Sequence, residues 1–249
     1  MALLGYNGGL RGKPRIPSTS NASGIWDLDE QKIAASAGIW PGLVAPDPYW
    51  ANVTRLYYFS SGPITDASLS ESDPALVNDV QIVNDQSPFA GGSSAYFNGT
   101  SSYMDIPTVS LGTSTDFTVE FWIRLEEDPR IHTVLLDNPN YASKNRIVID
   151  NFNKFITSNN NDGPTIAINN WYHLAFVRSS NVEKGYVNGL GFTYGVEFDA
   201  RSYDTIGRSF ADGSAFWHLK GWLSNMRITP AIARYTSDFT PPTSPFPNF

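Results

Sequence analysis

The stretch NNWYHLAFVRSSNVEKGYVNGL, from Asn169 to Leu190, carries the strand pattern from which the fold follows. Successive side chains of a β-strand point to opposite faces. WYHLAFVR therefore presents two sets of residues: Trp171, His173, Ala175 and Val177 on one face, and Tyr172, Leu174, Phe176 and Arg178 on the other. Both faces are largely apolar, which is typical of a strand with neighbours on both sides. The Asn-Gly pair that follows, Asn188 and Gly189, favours a tight hairpin turn because both residues tolerate positive φ.

His173 lies inside this apolar strand and is one of three histidines in the chain. The other two, His132 and His218, are isolated in the sequence. Because zinc sites need three or four protein ligands, a histidine-based zinc site is disfavoured. We therefore predict that His173 is one rung of a packed strand, a neutral imidazole with one or two hydrogen bonds.

The same alternation recurs from Val53 onward in about a dozen short segments separated by turn residues. The clearest segment is DFTVEFWIRL, which places Phe117, Val119, Phe121 and Ile123 on one face and Thr118, Glu120, Trp122 and Arg124 on the other. The other segments are RLYYFS, VQIV, SAYFN, SSYMDI, HTVLLD, RIVID, KFIT, KGYVNG, GFTYGVEF, YDTIGR and GWLSNMRIT. With no strong helix between them, they predict an all-β fold, an antiparallel β-sandwich. After the last strand we expect a short turn of helix and then a proline-rich strap.

Composition agrees with a turn-rich β protein. Charged residues make up 16% of the chain, below the usual share of about a quarter, and 20 glycines and 17 prolines are present. The absence of cysteine excludes disulfides, thiolate metal sites and a cysteine nucleophile. A net charge of −7 disfavours nucleic acid as a partner. No stretch approaches the ~20 apolar residues of a membrane span, and the N-terminus lacks the apolar core of a signal peptide.

Residues 1–50 differ from the rest and are predicted to form an N-terminal arm ahead of a body over residues 51–249. Asp27 and Glu30 can form a capping box, and Gly38 can end a helix, so we predict a short helix from Leu28 to Ala37. A helix of about ten residues is marginal alone, so we expect it to dock on the body or on another chain. The arm residues assigned to assembly are Arg11, Lys13, Arg15, Trp26, Leu28, Ile33 and Trp40.

Four blocks of the body resemble the laminin-G-like, concanavalin A-like jelly rolls found in many bacterial and phage surface proteins. The blocks are FAGGSSAYFNGTSSYMDIP (Phe89–Pro107), DFTVEFWIRL (Asp116–Leu125), NNWYHLAFVR with GYVNG (Asn169–Gly189), and the segment from Ile206 to Pro247. Their order and spacing match that family from about Val53 onward. The resemblance implies a jelly roll and leaves its activity open.

The segment SGIWDLDEQKIAASAGIWPG, residues 23–42, is similar to one that recurs in structural proteins of tailed phages, especially marine and cyanobacterial ones. In those proteins a laminin-G-like body follows the segment. This resemblance implies a virion component, such as a tail, fibre, collar or capsid-decorating protein. It also implies other virion proteins as partners and a homo-oligomer such as a trimer, located on the outer surface or tail of the virion.

Catalysis is not expected. Glycosidases of the laminarinase type share this sandwich and carry a Glu-x-Asp-x-(x)-Glu strand motif. The segment VEFDARS offers Glu197 and Asp199, but Ser202 stands where the last carboxylate is needed. The sequence also contains no Gly-x-Ser-x-Gly elbow and no P-loop.

No cofactor is expected, and calcium is the only ion that the resemblance suggests. Laminin-G-like domains often hold one calcium ion, through carboxylates and carbonyls, near a sheet edge. Phage-type relatives often have acidic residues where this chain has Ser60, Asn98 and Asn225, and those neutral residues weaken the case for a tight site. The calcium candidates are Asn98, Asp105, Asp137, Asp212 and Asn225.

Glycan binding would need aromatic faces beside planar polar groups on loops. The richest regions are residues 138–162 and the segment FADGSAFWH. The glycan-binding candidates are Tyr141, Asn151, Asn153, Asn159, Asn160, Phe216 and Trp217, although Asn-rich stretches are also typical of plain turns.

The leading hypothesis is a non-enzymatic virion protein that is anchored by its arm and displays its jelly roll outward, where it contacts host surface polysaccharide. A free carbohydrate-binding or adhesin module is the alternative. A glycoside hydrolase is a third.

Overall fold

Fourteen β-strands are found in the part of the chain that the computed structural model describes, which comprises residues 46–60, 62–129, 132–138, 146–150, 154–157, 163–196, 200–209 and 217–249. The strands are β1 Arg55–Tyr57, β2 Ala75–Val77, β3 Gln81–Val83, β4 Ser94–Asn98, β5 Tyr103–Gly112, β6 Phe117–Leu125, β7 His132–Asp137, β8 Ile147–Asp150, β9 Phe155–Thr157, β10 Trp171–Ser179, β11 Val182–Val187, β12 Leu190–Val196, β13 Arg201–Ile206 and β14 Lys220–Pro230. A single 3-10 turn, Trp50–Asn52, is the one helical element within these ranges, so no described helix is long enough to cross a membrane.

The strands form two antiparallel sheets. The larger has eight strands in the order β12-β11-β10-β6-β14-β4-β3, with β1 also pairing to β14. The smaller has six strands in the order β2-β5-β13-β7-β8-β9. The prediction of an all-β antiparallel sandwich is therefore confirmed, and β10 has a partner on each side, β6 and β11, as its two apolar faces indicated.

The core lies between the sheets and takes one face of each strand. Alternate residues of β6 contribute core side chains from the large sheet, as the sequence pattern predicted. Met104, Tyr203 and Ile206 contribute core side chains from the small sheet. All of these side chains are fully buried: Phe117, Val119, Phe121, Ile123, Met104, Tyr203 and Ile206. These residues belong to one unit that spans Tyr49–Phe246.

The outer face of the large sheet is covered by a C-terminal segment, residues 231–246, here called the strap. Tyr235 and Phe239 stack at a centroid distance of 3.6 Å and pack over Ala175, Val177 and Tyr186. The prediction of a short turn of helix after β14 is wrong. Ala231 adopts a φ of 63°, outside the helical region, and side chains of the sheet hold the strap instead.

The strap backbone forms hydrogen bonds with side chains of the sheet and not the hydrogen bonds of a helix. Thr118 Oγ1 donates to the Ile232 carbonyl at 2.9 Å, and Tyr186 Oη donates to the Tyr235 carbonyl at 3.2 Å. At the far end, Asn225 Oδ1 accepts the Phe246 N–H at 2.7 Å.

The β11–β12 turn has the conformation that the sequence predicted, with φ of 49° at Asn188 and 80° at Gly189. The strap passes directly over it, and the Phe239 N–H donates to the Gly189 carbonyl at 3.0 Å. A Cβ on Gly189 would lie 1.8 Å from the Phe239 carbonyl oxygen, so only glycine fits under the strap.

Candidate functional site

Three polar residues meet on the outer face of the small sheet. In the strand register, Thr205 of β13 lies opposite Asp105 of β5 on one side and Asp137 of β7 on the other. Directly opposite residues share a face, and the next rung, with Met104, Leu136 and Ile206, points into the core. Asp105, Thr205 and Asp137 therefore face away from it.

Asp137 forms the polar centre of this face. Ser209 Oγ donates to its Oδ2 at 2.6 Å, and the Asn138 backbone N–H donates to its Oδ1 at 2.8 Å. The Nε of Arg146, just before β8, lies 3.3 Å from Asp137 Oδ2 as an ion pair. The side-chain amide of Asn138 also contributes: its Nδ2 donates to Ser202 Oγ at 3.2 Å and fixes the end of β7 to β13.

Arg146 is only 6% exposed, yet two of its donors are unused. Neither Nε nor Nη2 has a hydrogen-bond acceptor within the described ranges, because the approach to Asp137 is not aligned as a hydrogen bond. Buried donors on a charged group are costly to leave unmet. Within the part of the chain that the structure describes, the protein itself therefore leaves these two donors without an acceptor.

Trp217 lies beside that guanidinium, with the Arg146 Cζ 5.1 Å from the ring centroid. Its ring packs on Val134 and Val148, and the Val134 N–H donates to the Trp217 carbonyl at 3.2 Å. The ring remains partly exposed. An aromatic surface, a cation and a carboxylate are thus held together on one sheet face.

A second arginine borders this face at β5. Arg208 Cζ lies 3.0 Å from the Tyr103 ring centroid, and its Nη2 lies 3.4 Å from Asp105 Oδ1. Burial raises the pKa of Asp204, and the charges of Asp137 and Asp105 raise it further.

The sequence found only part of this site. Trp217 and Asp137 were named, whereas Arg146 was missed, because nothing in the sequence shows that it meets Trp217. Six of the seven glycan candidates lie outside the described residues, namely Tyr141, Asn151, Asn153, Asn159, Asn160 and Phe216, as does the calcium candidate Asp212. The assembly residues Arg11, Lys13, Arg15, Trp26, Leu28, Ile33 and Trp40 and the helix Leu28–Ala37 lie outside them too.

Of the calcium candidates, Asp105 and Asp137 lie on the small sheet, whereas Asn98 and Asn225 lie in the large one. Asn98 Oδ1 accepts from the backbone N–H groups of Thr100, Ser101 and Ser102, and so closes the β4–β5 turn. Asn225 holds the strap, as described above. Among the described residues, no three His, Asp or Glu side chains are grouped as metal ligands.

Two further carboxylates are buried and paired. Glu120, on the outer face of the large sheet, accepts from Arg227 Nε and Nη2 at 2.9 and 2.8 Å and from Tyr235 Oη at 2.8 Å. Burial alone would raise the pKa of Glu120, but Arg227 together with His173 lowers it well below its usual range. Glu183, facing the core, pairs with Arg178 at 2.7 Å and with Arg201 of the opposite sheet at 2.7 Å.

His173 belongs to the Glu120 group. Its Nε2 lies 3.2 Å from Glu120 Oε2, and its ring packs edge-on against Phe239 at 5.7 Å. The prediction that His173 is a packed rung of a central strand is confirmed. Of the residues proposed from the glycosidase motif, Ser202 is buried, and Glu197 and Asp199 lie outside the described residues.

Residues 98–231 match the concanavalin A-like lectin/glucanases superfamily, which covers more than half of the chain. The chain belongs to this superfamily. No curated protein matches it at a significant level.

Solved structures share the fold at low identity. Domain 4 of AbnA, a GH43 extracellular arabinanase from Geobacillus stearothermophilus, solved in complex with arabinotriose, has a TM-score of 0.55 at 17% identity, over 73% of this chain and 94% of that one. The binding domain of Paraclostridial Mosquitocidal Protein 1 has a TM-score of 0.52 at 16% identity, over 74% and 50%. A mutant of Trypanosoma rangeli sialidase has 0.53 at 13% identity, over 80% and 33%. The chain thus spans half of the second protein and a third of the third, and these likenesses concern the fold.

Proposed function

We propose that this chain is a non-enzymatic saccharide-binding protein whose site is the outer face of the small sheet around Trp217. The observation that carries the proposal is the buried Arg146 guanidinium, with two unused donors, beside the Trp217 ring. The apolar face of a sugar ring fits an aromatic surface, and neighbouring hydroxyls fit the donors of Arg146 and the acceptors of Asp137. The arabinotriose complex of the AbnA domain supports the same class of ligand for this fold.

A binding role is favoured over catalysis because three buried carboxylates of the described residues, including the one at the site, are engaged with arginines. Glu120, Glu183 and Asp137 each contact at least one guanidinium. A general acid needs a carboxyl with a raised pKa. The pKa of Glu120 moves the other way. Burial raises the pKa of Asp204, but a hydrogen bond from Thr205 Oγ1 to Asp204 Oδ1 favours its ionised form. If the chain were a hydrolase of the laminarinase type, hydrolysis would depend on Glu197 and stop in Glu197→Gln.

The test is calorimetric titration of the full chain with oligosaccharides from arabinan, xylan, β-glucan and mannan. We expect Trp217→Ala to weaken binding about tenfold, or about 1.4 kcal/mol, and Arg146→Lys to weaken it by a similar factor because a lysine cannot reproduce the planar fork. Tyr49→Ala is the control, because Tyr49 is an exposed aromatic that lies beside Arg234 of the strap, on the large sheet. Equal affinities in all four proteins would contradict the proposal, provided that thermal unfolding shows Trp217→Ala to be folded; Trp217→Phe is the milder replacement.

The cellular role that we propose is attachment within a virion. The support is the similarity of residues 23–42 to segments of tailed-phage structural proteins, together with the jelly-roll body that follows. In this role the arm docks on other virion subunits and the body presents its saccharide site outward. Proteomics of purified particles tests this proposal, and particles that assemble without the protein and never contain it would count against it.

A further inference from the structure

A row of aromatic and planar polar side chains crosses the other sheet of the sandwich. In the strand register, Trp171 of β10 lies opposite Arg124 of β6, Arg124 lies opposite Trp222 of β14, and Trp222 lies opposite Tyr96 of β4. Their neighbours along the strands, such as Leu223, point into the core. The row, Trp171–Arg124–Trp222–Tyr96, therefore lies on the outer face, and at about 4.8 Å per strand it is about 14 Å wide.

The strap leaves this row uncovered. The adjacent rung, with His173 and Trp122, is closed by Phe239 of the strap and by Phe89, whose ring lies 5.5 Å from that of Trp122. All four side chains of the row are partly exposed: Trp171, Arg124, Trp222 and Tyr96. A ligand can thus reach the row without displacing the strap.

Three side chains of the row, those of Arg124, Trp222 and Tyr96, hold each other in place. Arg124 Cζ lies 4.8 Å from the Trp222 ring centroid, and Tyr96 lies 5.1 Å from the same ring. Arg124 donates to Gln86 Oε1, and its Nη2 donates to Asn169 Oδ1 at 3.4 Å. These side chains are therefore ordered before a ligand binds, which lowers the entropic cost of forming a complex.

The charges around the row are balanced. Tyr96 Oη donates to Glu126 Oε2 at 2.7 Å, and Lys220 pairs with Glu127 at 3.1 Å. The two cations, Arg124 and Lys220, thus match the two anions in number. An electrically neutral ligand complements this surface better than a charged polymer does.

We propose that the row Trp171–Arg124–Trp222–Tyr96 is a second saccharide-binding surface, which takes a neutral oligosaccharide lying across the strands. Aromatic rings alternate there with planar amide and guanidinium groups, which suits a ligand with apolar ring faces and hydroxyl edges. This site lies on the opposite sheet from the Trp217 site and does not depend on it. A chain with both sites is divalent and joins two saccharide chains without oligomerising.

The experiment is calorimetric titration of the full chain with the neutral oligosaccharides used above and with oligogalacturonate as the anionic comparison. We expect two binding events per chain for a neutral oligosaccharide, one of which is lost in Trp171→Ala/Trp222→Ala and the other in Trp217→Ala. Trp222→Phe should retain the second event at a several-fold lower affinity, and Tyr49→Ala should retain both.

The outcomes separate the two sites. One event that persists in the Trp171→Ala/Trp222→Ala chain and vanishes in Trp217→Ala overturns the second site alone. One event that shows the reverse pattern supports the row and counts against the Trp217 site. Absence of binding in the unaltered chain overturns both sites. Stronger binding of oligogalacturonate at the row overturns its assignment to neutral ligands. A change of oligomeric state in light scattering of Trp171→Ala/Trp222→Ala, with both binding events intact, would overturn the saccharide assignment and identify a protein interface.

Discussion

Glu120 shows how a buried charge is accommodated in this sandwich. It is fully buried, and its two oxygens receive donors from β14 and from the strap. Removing one partner of a buried pair leaves the other charge uncompensated, which costs more than the pair contributes. The group Glu120, Arg227, His173 and Tyr235 therefore fixes the strap to the sheet.

Replacing Glu120 by Gln should destabilise the fold by about 3–5 kcal/mol, because Arg227 would keep its charge in a buried position without a carboxylate. Glu127→Gln is the control: its pair with Lys220 is half exposed, and the expected loss is below about 1 kcal/mol. Urea unfolding measures both variants. Equal losses of unfolding free energy in the two variants would show that burial does not determine how much the Glu120 pair stabilises the fold.

Stability should also depend on acid through the same residue. The pKa of Glu120 is lowered in the folded state from its ordinary value of 4.5. Such a group stabilises the fold fully above its unfolded pKa and loses that contribution as pH falls toward its folded pKa. The stability gap between the unaltered chain and Glu120→Gln should therefore be constant near pH 7 and narrow below about pH 4.5. Urea unfolding at a series of pH values gives the gap, and a gap that widens in acid would contradict this account.

The sequence predicted individual residues well where neighbours along the chain decide the outcome. The alternation in WYHLAFVR was enough to place His173 in a packed row. It could not show that Glu120, Arg227 and Tyr235 converge on that histidine, because they come from separate strands and the strap. The contact of Arg146 with Trp217 was hidden for the same reason, since partners distant in the chain leave no local pattern.

The strap is the element whose fit is most sensitive to a single position. Gly189 combines a φ of 80° with a Cβ position 1.8 Å from the Phe239 carbonyl oxygen. We expect Gly189→Ala to cost more than about 1 kcal/mol, from both backbone strain and displacement of the strap. Gly91 has a φ of 71° and open space around its Cβ position, so Gly91→Ala introduces the backbone strain without a steric clash. The difference in urea unfolding between the two variants measures the strap contact, and no difference would show that the strap yields without cost.

Element prediction succeeded for long strands and failed at the strap and at β2. β6 and β10 alternate over nine residues each, and both were found. β2 has three residues, and two of them, Ala75 and Leu76, are exposed, so it has no hydrophobic period to detect. After β14, helix-compatible residues follow Pro230, but side-chain hydrogen bonds from the sheet hold the backbone in a non-helical conformation. Tertiary contacts there override local preference.

The entire sandwich is joined across its two layers by the pairing of Glu183 with Arg178 in its own sheet and with Arg201 in the other. Core packing and this bridge make the body a candidate for independent folding. The proposed arm, residues 1–50, would then be needed for assembly and not for stability.

Light scattering on the full chain and on a shortened chain that begins at Pro48 tests this division. We expect a defined oligomer for the full chain and a folded monomer for the shortened one, because the arm holds the proposed docking residues. Thermal unfolding of both chains is the control for folding. The same oligomer in both would place the interface in the jelly roll and overturn the role of the arm.

The position of β14 in the large sheet also has a consequence for biosynthesis. This strand pairs with β1, β4 and β6, so the middle of the sheet is missing until Pro230 has been translated. At about 5–20 residues per second, the earlier strands wait for many seconds with unpaired edges. Pairings so distant in the chain also fold slowly, over about milliseconds to seconds. The yield of soluble protein should therefore be limited by aggregation of nascent chains. Slower translation or a lower temperature should raise this yield less than added chaperone does.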